Sequence, residues 1–485
     1  MKHLYPVLPA LAERRHHGGF SLVELMVSVT ISLLILVALS AMFINVSRSN
    51  NEMIKSNSQI ENGRFAVQLL ENDLVHAGFW SQFVPQFDDV NWTGVPNDTP
   101  DVVPDPCLAH NAGNWNFSYI QSLIGIPVQS GDAAPGTCVL GSKRANTDVL
   151  VVRHAATCAP GEANCDADTT GKLYFQNSLC GAGTAGTARA SGNTTMTIAL
   201  ALPSDTTTTS ATDNAYSGMT IRTTGGTGAG QSRVVSSYNG GTAVATVASA
   251  WTTTPDATTT YTIVEHLLAT SNFTLHGRGA DCSAAPLASK RKFVSTMYYV
   301  RDYSHTAGDG VPTLVRSVFD PAGAPALAHQ APEALVEGIE RFAVELGIDN
   351  VVSRCGLGTA VDYTAAVAKV DPSTCVLNAD ASRNSLPTNR GDGNPDRFVR
   401  CTTAAPCTVA QLANVVAAQL FVLVRNTEPS PDYTDSKTYC LTSIAADGSC
   451  PAASLAGPFN DHYKRHLFST TVRLTTISSR RETPQ

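Results

Sequence analysis

A single apolar stretch near the start of the chain constrains its fold more than any other feature. Residues 20–44 are apolar apart from a few serine and threonine hydroxyls and one carboxylate, Glu24. The stretch exceeds the roughly 20 residues that a helix needs to cross a membrane. Because no proline or glycine interrupts positions 20–62, the sequence predicts one helix that continues beyond the membrane.

The apolar pattern narrows to one stripe after this stretch. Apolar residues recur every seven residues, at Leu39, Val46, Met53, Ile60, Val67 and Leu74. This spacing places them on one helix face, so we expect the second half of the helix to dock on a globular domain. Gly78 is a natural C-terminal stop, and Pro85 prevents much further extension. The predicted helix therefore spans residues 20–77.

After Gly78 the sequence is typical of strands separated by turns. Segments rich in β-branched and aromatic residues lie at 148–154, 293–303, 313–319, 339–348, 415–425 and 467–477. A nearly uncharged threonine- and glycine-rich segment, 191–266, carries an Asn239-Gly240 hairpin signal and predicts an inserted small all-β module. The predicted fold class is α+β, with a long N-terminal spine helix packed on an antiparallel β-sheet headgroup that has large loop insertions.

The cysteines indicate an oxidising compartment. All twelve lie beyond the apolar stretch, at Cys107, Cys138, Cys158, Cys165, Cys180, Cys282, Cys355, Cys375, Cys401, Cys407, Cys440 and Cys450. An even set without closely paired CxxC spacing predicts disulfides rather than a zinc site. Short separations favour local bridges 158–165, 401–407 and 440–450, and a 180–282 bridge would close the base of the inserted module. The other pairings stay open.

Glu24 is the residue that an ordinary membrane segment does not explain. A cleaved secretory signal would use the small residues before Ala41, but the apolar region is too long for one. A plain anchor leaves the carboxylate without a purpose, although a charge inside a membrane span is costly. Lys2, Arg14 and Arg15 precede the stretch, which by the positive-inside rule places the N-terminus in the cytoplasm.

The run Gly19-Phe20-Ser21-Leu22-Val23-Glu24 resembles the processing site of type IV prepilins. The resemblance implies cleavage after Gly19 by a prepilin peptidase, N-methylation of Phe20, and pairing of Glu24 with the N-terminal amine of a neighbouring subunit. An amine and a carboxylate that are each costly in hydrocarbon would then neutralise one another. The long leader and Ala41, where major pilins often have proline, depart from the family pattern.

Further segments resemble PilW-like minor pilins in their usual order, at 63–80, 147–154, 295–302, 312–319, 333–349, 414–428 and 463–474. The resemblance implies a structural minor pilin that primes assembly of the type IV pilus and is incorporated at its tip. Implied partners are other minor and major pilins, the prepilin peptidase, the assembly platform and a large tip adhesin. The implied location is the bacterial inner membrane, with a periplasmic C-terminal domain, and then the pilus fibre at the cell surface.

These expectations divide the chain into a leader (1–19), a transmembrane helix (20–44), its amphipathic continuation (45–78), and a headgroup in two parts (79–190 and 267–485) around the inserted module (191–266). Two alternatives stay open. One is a minor pseudopilin of a type II secretion system, and the other is an adhesive tip protein that acts through 191–266. A net charge of −7 gives no basis for nucleic-acid binding.

Signals for catalysis or cofactors are weak. No nucleophile elbow, zinc-protease motif or phosphate-binding loop occurs in the sequence, so an enzyme is not expected. Asp392, Asn394 and Asp396 alternate as calcium ligands do, but the loop lacks the glycine and the final glutamate of an EF-hand. We expect no cofactor, with calcium at this loop as the one candidate. Five arginines end or sit in predicted strands and could pair with carboxylates at the sheet edge, but solvated strand ends are the expectation for them: Arg153, Arg301, Arg316, Arg425 and Arg473.

Overall fold

A computed structural model describes residues 19, 21–90, 92, 94–111, 114–178, 185–202, 209–277, 286–321, 327–352, 355, 358–444 and 447–482. Leader residues 1–18, Phe20, Cys180 and Cys282 lie outside the described residues. The chain divides into two compact units, Met1–Ser58 and Gln59–Gln485.

One long helix, α1 (Leu22–His76, 55 residues), confirms the predicted spine. Within the second unit, its buried residues are Gln59, Gly63, Ala66, Leu70 and Leu74, and their spacing of three or four positions produces one buried stripe. The helix stops before Gly78, whose φ of 73° lies in the left-handed region that glycine favours. A Cβ at Gly78 would lie 2.9 Å from Cγ1 of Ile477, so the stop is also a close-packed position.

The remaining described helices are short: α2 Phe117–Gly125, α3 Val409–Ala413 and α4 Thr475–Arg481. The described strands, numbered in chain order, are β1 Val128–Gly131, β2 Val149–Ala155, β3 Tyr174–Asn177, β4 Ala185–Thr187, β5 Thr197–Ala199, β6 Thr220–Gly225, β7 Ser232–Asn239, β8 Val244–Val247, β9 Thr260–Val264, β10 His266–Ala269, β11 Arg291–Arg301, β12 Thr313–Pro321, β13 Leu327–His329, β14 Glu333–Glu337, β15 Ile339–Ile348, β16 Val351–Val352, β17 Thr359–Ala360, β18 Lys369–Val370, β19 Leu386–Pro387, β20 Arg397–Val399, β21 Val415–Arg425, β22 Tyr439–Cys440, β23 Leu455–Ala456 and β24 Arg465–Arg473.

Two antiparallel sheets build the headgroup. The larger follows the order β1-β2-β11-β12-β13, with β14 also paired to β12 and β3 paired to both β10 and β11. The second sheet has the order β20-β15-β21-β24. The second half of α1 shares one core with both sheets, because Leu70 and Leu74 cluster with Leu150 and Val152 of the first sheet and Val422 of the second. The α+β fold class predicted from the sequence is confirmed.

The inserted all-β module is present as a separate sheet of order β4-β9-β6-β7-β8-β5. It has its own hydrophobic core, which includes Tyr216, Ile221, Tyr238, Trp251 and Tyr261. Its flanking strands β3 and β10 pair with each other, with Asn177 opposite His266. The module therefore leaves and re-enters the headgroup at neighbouring positions.

Disulfides close the headgroup loops. The local bridges 158–165, 401–407 and 440–450 are present, together with Cys107–Cys138 and Cys355–Cys375. The last two pairs were left open by the sequence because their spacings, 31 and 20 residues, favour no particular partner. A bridge between Cys180 and Cys282 stays a prediction.

The C-terminal strand prediction was wrong in its last residues. β24 ends at Arg473, and α4 begins at Thr475. Pairing with β21 ends where Arg473 lies opposite Ala417, after which the amide of Leu474 donates to Val416 O. Ile477, the last residue of the predicted strand, lies in α4 instead of pairing with β21. Its side chain is buried in the main core.

The expectation that strand arginines are solvated was also wrong for two of them. Arg153 has no exposed surface and donates to Ile126 O and Gln129 Oε1, at 2.9 and 3.0 Å. Arg301 is buried and donates to Tyr303 O at 2.9 Å. Carbonyl groups at nearby strand ends accept hydrogen bonds from both arginine side chains in place of water. Both guanidinium groups can therefore be buried in the sheet.

Candidate assembly surface

The start of α1 is closed by two reciprocal hydrogen bonds. The amide of Glu24 donates to Ser21 Oγ at 3.1 Å, and the amide of Ser21 donates to Glu24 Oε2 at 3.0 Å. This is a capping box, in which the side chains of the cap residue and of a residue three positions later satisfy amides that the helix leaves free. Glu24 therefore has a partner within its own chain, through one of its two carboxylate oxygens.

The apolar side chains that follow form the candidate assembly surface, defined here as residues 22–46 of α1. Leu22, Leu36 and Phe43 are 76%, 62% and 74% exposed. Of the helices among the described residues, α1 alone is long and apolar enough to cross a membrane. An apolar surface of this extent is unfavourable in water, so it needs lipid or other helices around it.

Two hydroxyl groups within the assembly surface are satisfied by the helix itself. Ser28 Oγ donates to Leu25 O at 2.9 Å, and Thr30 Oγ1 donates to Met26 O at 2.7 Å. Such bonds remove the cost of placing a hydroxyl in hydrocarbon. Glu24 is the one carboxylate among residues 22–46.

In the second unit, polar contacts fix the docked half of α1. Gln59 Nε2 donates to Val424 O at 2.6 Å and to Lys464 O at 2.9 Å, while Asn62 Nδ2 donates to Glu337 O at 3.2 Å. Gly63 permits close approach, since a Cβ there would lie 2.1 Å from Cε2 of Phe468. These contacts fix both the rotation and the axial position of this part of the helix on the sheet.

A cluster of buried charged side chains lies around Arg465 in the headgroup. Arg465, with a fully buried side chain, bonds to Glu340 and, at 2.9 and 2.6 Å, to Asp435 and Asp461. Hydrogen bonding to this guanidinium lowers the pKa of Asp461. Removal of one partner from such a cluster would leave a buried charge uncompensated, which is strongly destabilising.

Residues of α4 form a second cluster beside the end of α1. Arg481 donates to Asp88 Oδ1 at 2.6 Å and to Asn414 Oδ1 at 2.9 Å, and its Nη1 lies 3.4 Å from Asp349 Oδ2. Arg480 Nη2 donates to Gly78 O at 3.0 Å. Burial raises the pKa of Asp349, against the opposing effect of Arg481. The cluster ties α4 to the loop that follows the spine helix.

One serine–histidine contact in the large sheet lacks the arrangement of a catalytic pair. Ser317 Oγ lies 3.2 Å from Nδ1 of His329, but it also lies 2.6 Å from Gln330 O, which can only accept its proton. Burial, aided by the charge of Arg153, lowers the pKa of His329 to about 4. The hydroxyl proton is therefore directed to a carbonyl and not to a base.

Two family models match the chain. The model of the type IV pilus-assembly protein W matches residues 297–476, and the prokaryotic N-terminal methylation motif matches residues 14–40. The first covers most of the headgroup sheets, and the second covers the cap and much of the assembly surface. Together the two matches are those of a PilW-like type IV pilin. A search of the curated proteins and a search of the solved structures give no match.

The matched segments include much of the assembly surface and much of the headgroup of this pilin. Residues 297–476 include β12, β15, β21 and β24, and the inserted sheet lies outside the match. PilW-family proteins are structural components of the type IV pilus, and the two matches support a minor pilin whose N-terminal helix is long and apolar enough to anchor it in a membrane. Other pilins and the pilus assembly components are its partners as a class.

The loop predicted as a calcium candidate already uses its carboxylates for backbone bonds. Asp396 Oδ2 accepts the amides of Asn350 and Val351, each at 2.8 Å, and Asp392 Oδ1 accepts the amide of Asn394 at 3.0 Å. Asp392 is buried, while Asn394 and Asp396 are exposed. A shared ion would have to compete with these bonds, and calcium binding here stays a prediction.

Sequence reasoning identified Glu24 but missed its bond to Ser21. The signal was available, because Ser-x-x-Glu before an apolar run is the sequence pattern of a capping box. The roles of Gln59 and Arg481 had no local signal, since their partners lie hundreds of residues away in the chain.

Proposed function

We propose that this minor pilin primes assembly of the type IV pilus and occupies the tip of the filament together with other minor pilins. Its work is structural: the assembly surface bundles with the corresponding helices of its neighbours, and the headgroup packs beside theirs. The complex then starts the extraction of further subunits from the inner membrane through the assembly platform.

The observation that carries the proposal is the capped start of an uncovered apolar helix. In the single chain, Ser21 occupies Glu24 Oε2, and the described residues provide no bond to Oε1. A carboxylate can accept several hydrogen bonds. Cleavage after Gly19 by a prepilin peptidase would create an amine at Phe20, and the Phe20 amine of one subunit would pair with the Glu24 carboxylate of the next.

This pairing supplies specificity where apolar contact alone cannot. Lipid tails are themselves apolar, so an apolar side chain gains little free energy by moving from lipid to a helix interface. Helices in lipid therefore associate through packing and polar contacts. An amine and a carboxylate that pair in hydrocarbon relieve each other's cost. Glu24 would therefore set the axial register between neighbouring helices.

The headgroup agrees with export to the periplasm. Its described cysteines form disulfides, which persist in oxidising compartments. The basic residues before the apolar stretch favour a cytoplasmic N-terminus. Cleavage and methylation would then occur at the cytoplasmic face of the inner membrane, and the headgroup would later pass to the pilus fibre.

Glu24→Gln tests the proposal because glutamine keeps the capping box and removes only the charge. In a strain that lacks this pilin, wild-type chain should restore piliation, whereas Glu24→Gln should leave at least about ten-fold fewer pili, a loss equivalent to about 1.4 kcal/mol in an assembly step. The control, Glu52→Gln, changes a carboxylate elsewhere on α1 and should restore wild-type numbers. Equal membrane levels of all variants should be verified by immunoblot.

The N-terminus of the same chains gives a second readout. Mass spectrometry should find methylated Phe20 in cells with the prepilin peptidase and Met1 in cells without it. Full piliation by Glu24→Gln, or an unprocessed N-terminus in both strains, would refute the proposed route.

A further inference from the structure

A histidine at the junction of α1 and β2 faces two acceptors. Nδ1 of His154 lies 2.9 Å from Ala155 O, and Nε2 lies 3.1 Å from Asp73 Oδ1. A neutral imidazole has only one N–H, so it can satisfy one of these acceptors but not both. A cation between Nε2 and the carboxylate, with Nδ1–H donating to Ala155 O, would satisfy both acceptors.

A second histidine lies beside this pair. Asp73 and His76 are three positions apart on α1, so they share one face of the helix. Nδ1 of His76 is 2.7 Å from Asn72 O and therefore acts as the donor, which leaves Nε2 as the nitrogen with the free lone pair. The described residues provide no hydrogen bond to that Nε2. Asp73 Oδ2 is also buried and has no hydrogen-bond partner.

Each histidine therefore has one ring nitrogen next to a backbone carbonyl, as metal-binding histidines often do. Metal-binding histidines donate one ring N–H to a carbonyl or carboxylate and bind the ion through the other nitrogen. Here Ala155 O and Asn72 O hold the Nδ1 atoms of His154 and His76. Nε2 of His154 faces Asp73 Oδ1 at 3.1 Å, and the described residues provide no hydrogen bond to Nε2 of His76.

One of the spacings already fits a tetrahedral ion, and the second is longer by less than about 1 Å. Two ligands at 2.0–2.1 Å from zinc lie about 3.3 Å apart, and the rings of two such imidazoles lie about 5 Å apart, measured between their centroids. His154 Nε2 and Asp73 Oδ1 are 3.1 Å apart. The ring centroids of His76 and His154 are 5.8 Å apart.

We propose that Asp73, His76 and His154 form a Zn²⁺ site that joins the end of the spine helix to β2. Two imidazoles and one carboxylate are a ligand set that zinc accepts, with water in the fourth position. The three donor atoms do not yet lie within 4.8 Å of one another. His76 is exposed and completes the set by turning its ring towards the other two.

The surroundings leave room for the fourth ligand. A cavity of about 300 Å³ is lined by His76, His154 and the loop closed by Cys158–Cys165. Lys292 also lines it, but its ammonium lies 3.1 Å from Asp166 and 3.9 Å from Asp320, which offset its charge.

Among the described residues, the donor atoms of a different cluster, Asp105 with Cys107 and Cys138, do lie within 4.8 Å of one another. Its two sulfurs are joined in a disulfide and provide no thiolate, so it lacks the ligands that zinc requires.

The test titrates full-length chain in detergent micelles with ZnCl₂ after removal of metal by a chelator. Every sample carries His3→Ala, His16→Ala and His17→Ala, so that leader histidines add no site. Calorimetry should show one zinc per chain. His76→Ala should weaken binding at least ten-fold, and the control His305→Ala, which changes an exposed histidine 3.3 Å from Glu337, should leave it unchanged.

Cobalt supplies a readout that a general loss of structure would not imitate. Co²⁺ in the same chain should give the visible absorption of a tetrahedral site, and His76→Ala should abolish it while the unfolding midpoint without metal stays the same. Absence of zinc binding, or equal binding by His76→Ala and wild-type chain, would overturn the proposal. Either result leaves the role of Glu24 untouched, because the two sites lie in different units of the chain.

Discussion

The two halves of α1 have similar helical backbones and opposite surroundings. Leu36 in the assembly surface is 62% exposed, whereas Leu70 in the docked half has no exposed surface. The first half is apolar on all sides, and the second buries one stripe and turns polar residues outward. Both halves are therefore helical. The distribution of apolar residues decides what surrounds each half, which is either lipid and other pilins or the chain's own sheets.

The comparison shows that one element carries two energetic roles. The docked half contributes to the stability of the headgroup, and the assembly surface contributes only when a membrane or another subunit is present. All four tryptophans, Trp80, Trp92, Trp115 and Trp251, lie in the second unit. Tryptophan fluorescence thus reports headgroup unfolding separately.

Leucine truncation should give the largest difference between the halves. Leu70→Ala should lower the free energy of headgroup unfolding by about 2–5 kcal/mol, because it leaves a cavity in the main core. Leu36→Ala should change it by less than about 0.5 kcal/mol. Urea unfolding of full-length chain in detergent, followed by tryptophan fluorescence, checks both, and equal effects would break the distinction between the halves.

Acid should weaken the headgroup that holds the docked half. The pKa of His329 is lowered by burial to about 4, against about 6.5 in an unfolded chain. Between these values the unfolded chain binds the proton and the folded chain does not, so stability falls as the pH falls. From pH 7 to pH 5 the loss from this residue should be about 2 kcal/mol.

His329→Gln isolates that contribution in the same unfolding experiment. The comparison is needed because burial lowers the pKa of His266 to about 4, which has the same sign, and raises the pKa of Asp98 to about 7, which has the opposite sign. The difference between wild type and His329→Gln should shrink by about 2 kcal/mol from pH 7 to pH 5. A difference independent of pH would show that His329 titrates normally in the fold.

The smallest expected effect concerns the polar contacts of the docked half. Gln59→Leu removes the donor to Val424 O and Lys464 O and should cost about 1 kcal/mol of headgroup stability. Gln68→Leu, at an exposed position of α1, is the matched control and should be nearly neutral. Similar losses for both variants would mean that helix propensity, and not docking, accounts for the contribution of Gln59.

Much of this fold follows from local patterns in the sequence. The spine helix, the main strands and the inserted sheet are set by periodicity, β-branched residues and turns, all of which act over short stretches. The start of α1 is equally visible, because Gly19, Phe20 and Glu24 belong to one short motif within the residues that the N-terminal methylation model matches.

What the sequence did not reveal depends on distant partners. Arg153 was expected in solvent because no residue near it in the sequence indicates that Gln129 accepts its hydrogen bond. The end of β24 depends on where β21 stops, and the pairing of Cys355 with Cys375 depends on how a loop folds. Each is decided by tertiary contacts, which override local propensity.

The contacts of α4 also constrain the order of events during synthesis. Residues 59–76 of α1 leave the ribosome long before β24 and Arg481, yet all of them are needed to close one headgroup. Synthesis therefore delivers the apolar half of α1 first, and the headgroup stays open until residues 465–481 arrive. A chain interrupted before that point would expose its unfinished core to proteases, so that fully translated subunits are the ones that persist.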